Sequence, residues 1–236
     1  MHMEIRILQL KEGAARAEGL TVIIDVFRAF SLEACMLAQG MECIYPVADL
    51  ETAYALKKEH PDYILAGERK GAILPGFDYG NSPSSVQGID FSGRRAVHTT
   101  SAGTQGIRAA VHAQELLGGS LLTAASTAAY IKTRNPDIVS LVCMGWEGVR
   151  PTEEDTLCAE YIRSLLIGKP MSDIEEKAQA LRYTEGRKFF DPAQQAVFPE
   201  ADFHISVQHD VFPFAVRITQ QNGLYKSEAV YTGMPE

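Results

Sequence analysis

The stretch LTVIIDVF, residues 20–27, decides the fold class. Leu20, Val22, Ile23, Ile24 and Val26 leave no polar face, and their branched side chains favour extended backbone, so the run reads as a strand buried on both sides. Such strands belong to parallel sheets covered by helices. Asp25 interrupts the run near its end. An unpaired buried carboxylate is too costly to be casual, so Asp25 marks a place where the chain serves something other than its core.

Similar runs recur on either side. EIRILQL (4–10), YILAGE (63–68), RRAVHTT (94–100) and IVSLVCMG (138–145) read as strands. Between them lie helical segments: one begun near Asp49 and closed by ALKKEH, one over roughly 102–113, and TAASTAAYIKT. This alternation predicts a three-layer α/β/α fold on a mostly parallel, mixed sheet. Later helix starts are signalled by Thr152-Glu153-Glu154-Asp155, by the capping box Ser172-x-x-Glu175 and by Asp191-Pro192. The tail FHISVQHDVFPFAVRITQQNGLYKSEAV reads as strands around an Asn222-Gly223 hairpin turn, an antiparallel addition at one edge or a small subdomain. No linker rich in Pro, Gly or Ser divides the chain, which predicts one compact domain over 1–236. A division into two similar halves near 115–135 stays open.

The 236 residues, 46% hydrophobic and 22% charged, are those of an ordinary globular protein able to bury a core. Lys+Arg number 22 against 30 Asp+Glu, a net charge of −8, and the basic residues are scattered, which argues against a nucleic-acid partner. No stretch approaches the roughly 18 apolar residues of a membrane span. Cys35, Cys43, Cys143 and Cys158 lack C-x-x-C spacing and sit in apolar patterns, which fits a reducing cytoplasm. A homodimer is neither required nor excluded. An acidic protein that binds an anion needs local means: a metal ion, an arginine or a helix N-terminus.

Parallel sheets bind ligands at the carboxyl ends of their strands, and polar groups collect there. Asp25 and Arg28 follow VII; Glu68 and Arg69 follow ILAG; Thr99, Thr100, Ser101 and Thr104 follow AVH; Glu147, Glu153, Glu154 and Asp155 follow VCMG. Carboxylates gathered in one place take up protons unless a cation neutralises them, and an oxygen-only donor set suits Mg²⁺. HTTSAGT (98–104), a strand running into a helix, offers hydroxyls and backbone N–H groups as a phosphate cradle, although helix capping alone explains part of it. It lacks the lysine of a P-loop. The aperiodic GFDYGNSPS (76–84) places a carboxylate, Asp78, and an amide, Asn81, over the crevice. Familiar hydrolase patterns fail: a haloacid-dehalogenase motif needs an aspartate where Phe27 stands, and neither G-x-S-x-G nor H-E-x-x-H occurs. His98, inside a predicted strand, reads as a packed core residue.

IIDVFRAFS, AGERKG, GFDYGNSPS, TTSAGT and CMGWEGVRPTEEDTLCAEYI, in this order over roughly residues 20–165, resemble the 2-phosphosulfolactate phosphatase family. Its members show Asp-Val-Leu-Arg-Ala-Thr, Gly-Glu-Arg, Gly-Phe-Asp-x-Gly-Asn-Ser-Pro and Thr-Thr-x-Asn-Gly-Thr segments. The resemblance implies an α/β, Mg²⁺-dependent acid phosphatase that hydrolyses 2-phospho-3-sulfolactate to sulfolactate and phosphate, a step toward coenzyme M. Carried over by position, Asp25, Arg28, Glu68, Arg69 and Asp78 are the catalytic candidates, with the two arginines as phosphate clamps. Asn81, Ser82, Thr99, Thr100, Ser101, Gly103 and Thr104 would bind the small phosphorylated substrate. Some of Asp25, Glu68, Asp78 and Asp155 would hold Mg²⁺, and Glu154 stands beside Asp155 in the acidic fifth motif. Phe30, Ser31 and Ala102 depart from the pattern, where two threonines and an asparagine are expected. Direct attack by water and a phosphoenzyme on Asp25 remain alternatives, as does a noncatalytic binder of a phosphorylated or sulfonated metabolite.

Overall fold

The structure, a computed structural model, describes residues 3–232. The run at 20–27 forms β2 (Gly19–Ile24), buried throughout, which pairs in parallel with β8 (Ile138–Cys143) and β7 (Ala113–Gly119). β1 (Glu4–Gln9) adds in parallel beyond β8. A second parallel set comprises β3 (Cys43–Pro46), β6 (Arg95–Thr99) and β4 (Ile64–Arg69). The short β5 (Ala72–Ile73) closes an antiparallel hairpin on β4 through Lys70 and Gly71, both at positive φ (53° and 81°), as a two-residue hairpin turn requires.

Side chains alternate between two covered faces, as the pleat dictates. Leu20, Val22, Ile24, Val139 and Leu141 pack under α5 (Ala124–Arg134) and α6 (Glu153–Leu166). Ile23 and Val142 point the other way, against α1 (Leu10–Ala15) and α4 (Gly103–Ala109). In the second set Ile44, Ala66 and Ala96 face α2 (Ala29–Ala38), while Leu65 and Val97 face α3 (Leu50–Glu59). The three layers match the α/β/α expectation. The four cysteines are buried and free, and among the described residues no helix is long and apolar enough to cross a membrane.

The tail departs from the expectation in two ways. The segment containing Phe203-His204-Ile205 is a helix, α8 (Glu200–Ser206), which follows α7 (Ile174–Ala180) after a run of 3-10 turns. Its buried residues, Asp202, Phe203 and Ser206, recur at helical spacing, and Glu200 and Asp202 sit in its first turn, where acids are favoured. The hairpin β9 (Phe214–Gln221) and β10 (Leu224–Tyr231) does turn at Asn222-Gly223, with φ of 51° and 80°. Its place, however, is the middle of the sheet: β9 pairs with β7 and β10 with β3, giving the order β1-β8-β2-β7-β9-β10-β3-β6-β4-β5. Phe214, Ala215 and Val216 are all buried, as a central strand demands.

This insertion reverses the second parallel set against the first, so the strand ends of one flat sheet would point to opposite edges. Two features bring them together. Twist accumulates at roughly 20–25° per strand, turning one set across the other. The connections also change sides: α4 leaves β6 of the second set and packs on Ile23 and Val142 of the first. Its N-terminus therefore arrives beside the end of β2.

Candidate active site

At that meeting point lies a pocket lined by Asp25, Arg28, Glu68, Asn81, Ala102 and Glu154, with Phe27, Trp146 and Phe198 as apolar walls. Asp25, at the end of β2, accepts hydrogen bonds from Ala29 N at 3.2 Å and Gly103 N at 2.9 Å. Burial and the nearby Glu68 carboxylate push its acid up to about 6, against the pull of those two N–H groups. Glu68 is gripped in the same fashion: Oε1 accepts from Ser101 N and Oε2 from Gly71 N, both at 2.7 Å. Glu154, in the first turn of α6, is pushed up to about 7, chiefly by burial. Its Oε2 is buried with no partner among the described residues.

The expected arginine clamps are otherwise engaged. Arg28 is buried against Asp202 (3% and 0% exposed), donating from Nη1 to its carboxylate at 2.7 Å and to Val197 O at 2.9 Å. Nη2 donates to Gly71 O at 3.2 Å, and the guanidinium lies 4.9 Å over the Phe198 ring. Arg69 donates to Glu68 O and Thr99 Oγ1 and does not line the pocket. A cation absent from the sequence reading lies beyond the aromatic wall: Lys188 Nζ stands 4.1 Å from the Trp146 ring centre and 5.3 Å from that of Phe198. Burial lowers its pKa to about 8, while Glu154 opposes that shift.

Several candidates lie elsewhere. Asp78 is 45% exposed at its side chain, accepting from Leu65 N at 2.8 Å with Lys57 at 3.5 Å; it anchors the 76–84 loop to β4 from the outside. Asp155 is buried behind the pocket, with one oxygen on Val26 N and the other on Gly145 N, both at 2.8 Å. It joins the loops after β2 and β8, and its neighbour Glu154 is the acid that reaches the pocket. Ser82 donates to Asp202 Oδ1 at 2.7 Å. The phosphate cradle expected at 98–104 is closed on itself: Thr100 and Thr104 bond to each other, and the N–H groups of Ser101 and Gly103 already hold Glu68 and Asp25. The hydroxyl-rich loop positions the acids. Asn81, Ser101 and Ala102 remain at the pocket wall.

Gly71 is the joint of this arrangement: its N–H holds Glu68 and its carbonyl holds Arg28. A Cβ there would lie 2.5 Å from Phe198 Cζ, at a φ of +81° that side chains seldom adopt. Gly71→Ala is expected to lower stability by about 1–3 kcal/mol, read as a shifted urea midpoint with an unchanged slope.

A three-layer α/β protein with an acidic pocket, walled by aromatics and flanked by a buried arginine and a half-buried lysine, is the class that fold and site define. The family model for 2-phosphosulpholactate phosphatase matches residues 6–203. The chain belongs to that family, whose enzymes are hydrolases acting on a phosphoric monoester. It is similar to proteins named "Probable 2-phosphosulfolactate phosphatase" from Carboxydothermus hydrogenoformans, 37% identical over 75% of this chain and 73% of the relative, and from Bacillus subtilis, 28% identical over 97% and 99%. A third, from Deinococcus radiodurans, is 33% identical over 74% and 72%.

Proposed function

We infer that this chain hydrolyses 2-phospho-3-sulfolactate to sulfolactate and phosphate, with Mg²⁺ as its cofactor. The observation that carries the reading is the convergence of Asp25, Glu68 and Glu154 on one pocket. Three acids on one pocket, two of them raised chiefly by burial, would repel a phosphate dianion unless positive charge is added. Arg28 is already neutralised by Asp202, and Lys188, behind the aromatic wall, is one charge against three acids, which leaves the requirement unmet.

The donor set suits that cation. All three groups offer carboxylate oxygens, and Glu154 Oε2 is buried without a partner. The three acids share the pocket lining without closing on one point, so an ion there would be held through one or two carboxylates and its remaining waters, a mode open to Mg²⁺. Asp25 and Glu154, with Glu68 beside them, would hold it. When bound, Mg²⁺ neutralises phosphoryl oxygens and lowers the pKa of a coordinated water. The chain's own groups do the rest. The N–H groups of Ala29 and Gly103 fix the Asp25 carboxylate, those of Ser101 and Gly71 fix Glu68, and Phe27, Trp146 and Phe198 exclude bulk water from one side. Lys188 adds charge next to Glu154 for a substrate carrying a second and third anion.

The test is phosphate release from 2-phospho-3-sulfolactate, phospholactate and an alkyl phosphate with no other acidic group, with Mg²⁺ and with chelator. Release is expected only with Mg²⁺ and at least about tenfold faster for the acidic esters, with Lys188→Met narrowing that preference. Mg²⁺-independent turnover would remove the cofactor from the reading. A melting shift without turnover on any ester would make the pocket a binding site alone.

A further inference from the structure

Behind the pocket stands a buried row of three side chains that the chemistry above does not use. Glu33 lies on α2, His98 on β6 and Asn81 in the 76–84 loop; the first two are each 1% exposed and Asn81 5%. His98 Nδ1 is 2.8 Å from Glu33 Oε1, and its Nε2 is 3.1 Å from Asn81 Oδ1.

A carbonyl oxygen only accepts hydrogen bonds, so the second contact requires a proton on Nε2. The first is satisfied either by a Glu33 carboxylate accepting from Nδ1–H or by a Glu33 acid donating to a bare Nδ1, and neither assignment removes the Nε2 proton. The Asn81 carbonyl is thereby pinned to the histidine and its NH₂ is turned the other way. Asn81 lines the pocket beside Asp25 and Glu68, and its NH₂ forms no hydrogen bond with protein among the described residues. An unrestrained amide could rotate and present its oxygen, repelling an anion. The pair is also a poor way to fill a core: burying two ionisable groups is expensive, and Glu33 Oε2 is left without a partner.

We propose that Glu33 and His98 are positioning residues that hold the Asn81 amide with its N–H donors facing the phosphoryl group of the substrate. The inference rests on the phosphatase reading of the pocket, but its first test does not. In the intact chain labelled with ¹⁵N-histidine, the signal lost in His98→Gln identifies His98, and its Nε2 is expected to carry a proton. A bare Nε2 would turn the amide around and overturn the proposal, whatever the chain hydrolyses.

The second test uses inorganic phosphate as the binding probe and phosphate release as the kinetic one. His98→Leu is expected to weaken phosphate binding and lower kcat/KM by about 10–100-fold, whereas His98→Gln, whose NH₂ can donate to the same carbonyl, stays within about fivefold of wild type. Equal losses in both variants would reduce His98 to core packing and overturn the proposal. Should His98→Leu fail to fold, the glutamine variant and the spectrum still decide. A wild-type chain that releases no phosphate from any ester sinks the phosphatase reading instead, and the ¹⁵N spectrum then judges the amide by itself.

Discussion

Asp25→Asn is expected to lower turnover by about 10²–10⁴-fold, the range for loss of one well-placed catalytic carboxylate, without unfolding the chain. The two effects separate because Asp25 is a liability to the fold. Its acid lies at about 6 in the folded chain against an ordinary 3.8, with burial the first cause and the like charge of Glu68 raising it further. A group raised on folding contributes stability that is fully present below its unfolded value and lost as pH rises through its folded value. In buffer free of divalent cations, wild-type stability should therefore fall between about pH 4 and 6, by an amount on the order of 3 kcal/mol from this residue. Asparagine abolishes that slope and forfeits one of the two N–H contacts, worth about 1 kcal/mol. Urea titrations at pH 4.5 and 7.5, paired with phosphate release, check both halves. Unchanged turnover in Asp25→Asn would take Asp25 out of the chemistry.

Asp202→Ala is expected to be the most destabilising single change at the site. Asp202 accepts from Arg28, Ser82 and Ser84 through both oxygens, and its removal strands a guanidinium that is itself 3% exposed. Breaking a buried ion pair from one side costs about 3–5 kcal/mol, or roughly 6–20 °C in Tm for a chain of this size. Arg28→Met alone should behave similarly, while the double change Asp202→Leu, Arg28→Met recovers much of the loss, since neither charge is then orphaned. Melting curves of wild type, Asp202→Leu, Arg28→Met and their double variant give the coupling energy. Additive losses would mean that the pair is not coupled. Because Arg28 also holds Gly71 O and Val197 O, the double variant should refold yet hydrolyse poorly.

Much of the fold was legible because burial on two faces leaves a one-dimensional trace: the apolar runs at 20–27 and 138–145 became β2 and β8, and Asn222-Gly223 became the hairpin turn. Helix α2 escaped notice for the same reason in reverse. Residues 29–37 are all buried, so the segment has no polar face and hence no 3.6-residue period to read. A signal was nevertheless present in Glu33, a lone acid in an apolar helix, and in His98, an imidazole directly after the apolar Ala96-Val97 of its strand. Each reads singly as an oddity, and together they are a pair. Phe198, Lys188 and Asp202 carried no local mark, since they reach the site through a chain of 3-10 turns whose path depends on what it packs against.

The sequence by itself determined the layers, the strand ends that carry acids, and Asp25 as the carboxylate that packing alone would not tolerate, because each follows from the periodicity and composition of a short segment. Tertiary structure decided which of those acids meet. Glu154 rather than Asp155, and Asn81 rather than Asp78, face the pocket, because a one-residue step along a helix turns a side chain by about 100° and a loop tethered to β4 presents opposite sides to solvent and core. It also placed the C-terminal hairpin between the two parallel sets, since strand partners are chosen by long-range hydrogen bonding and burial, which no local pattern encodes.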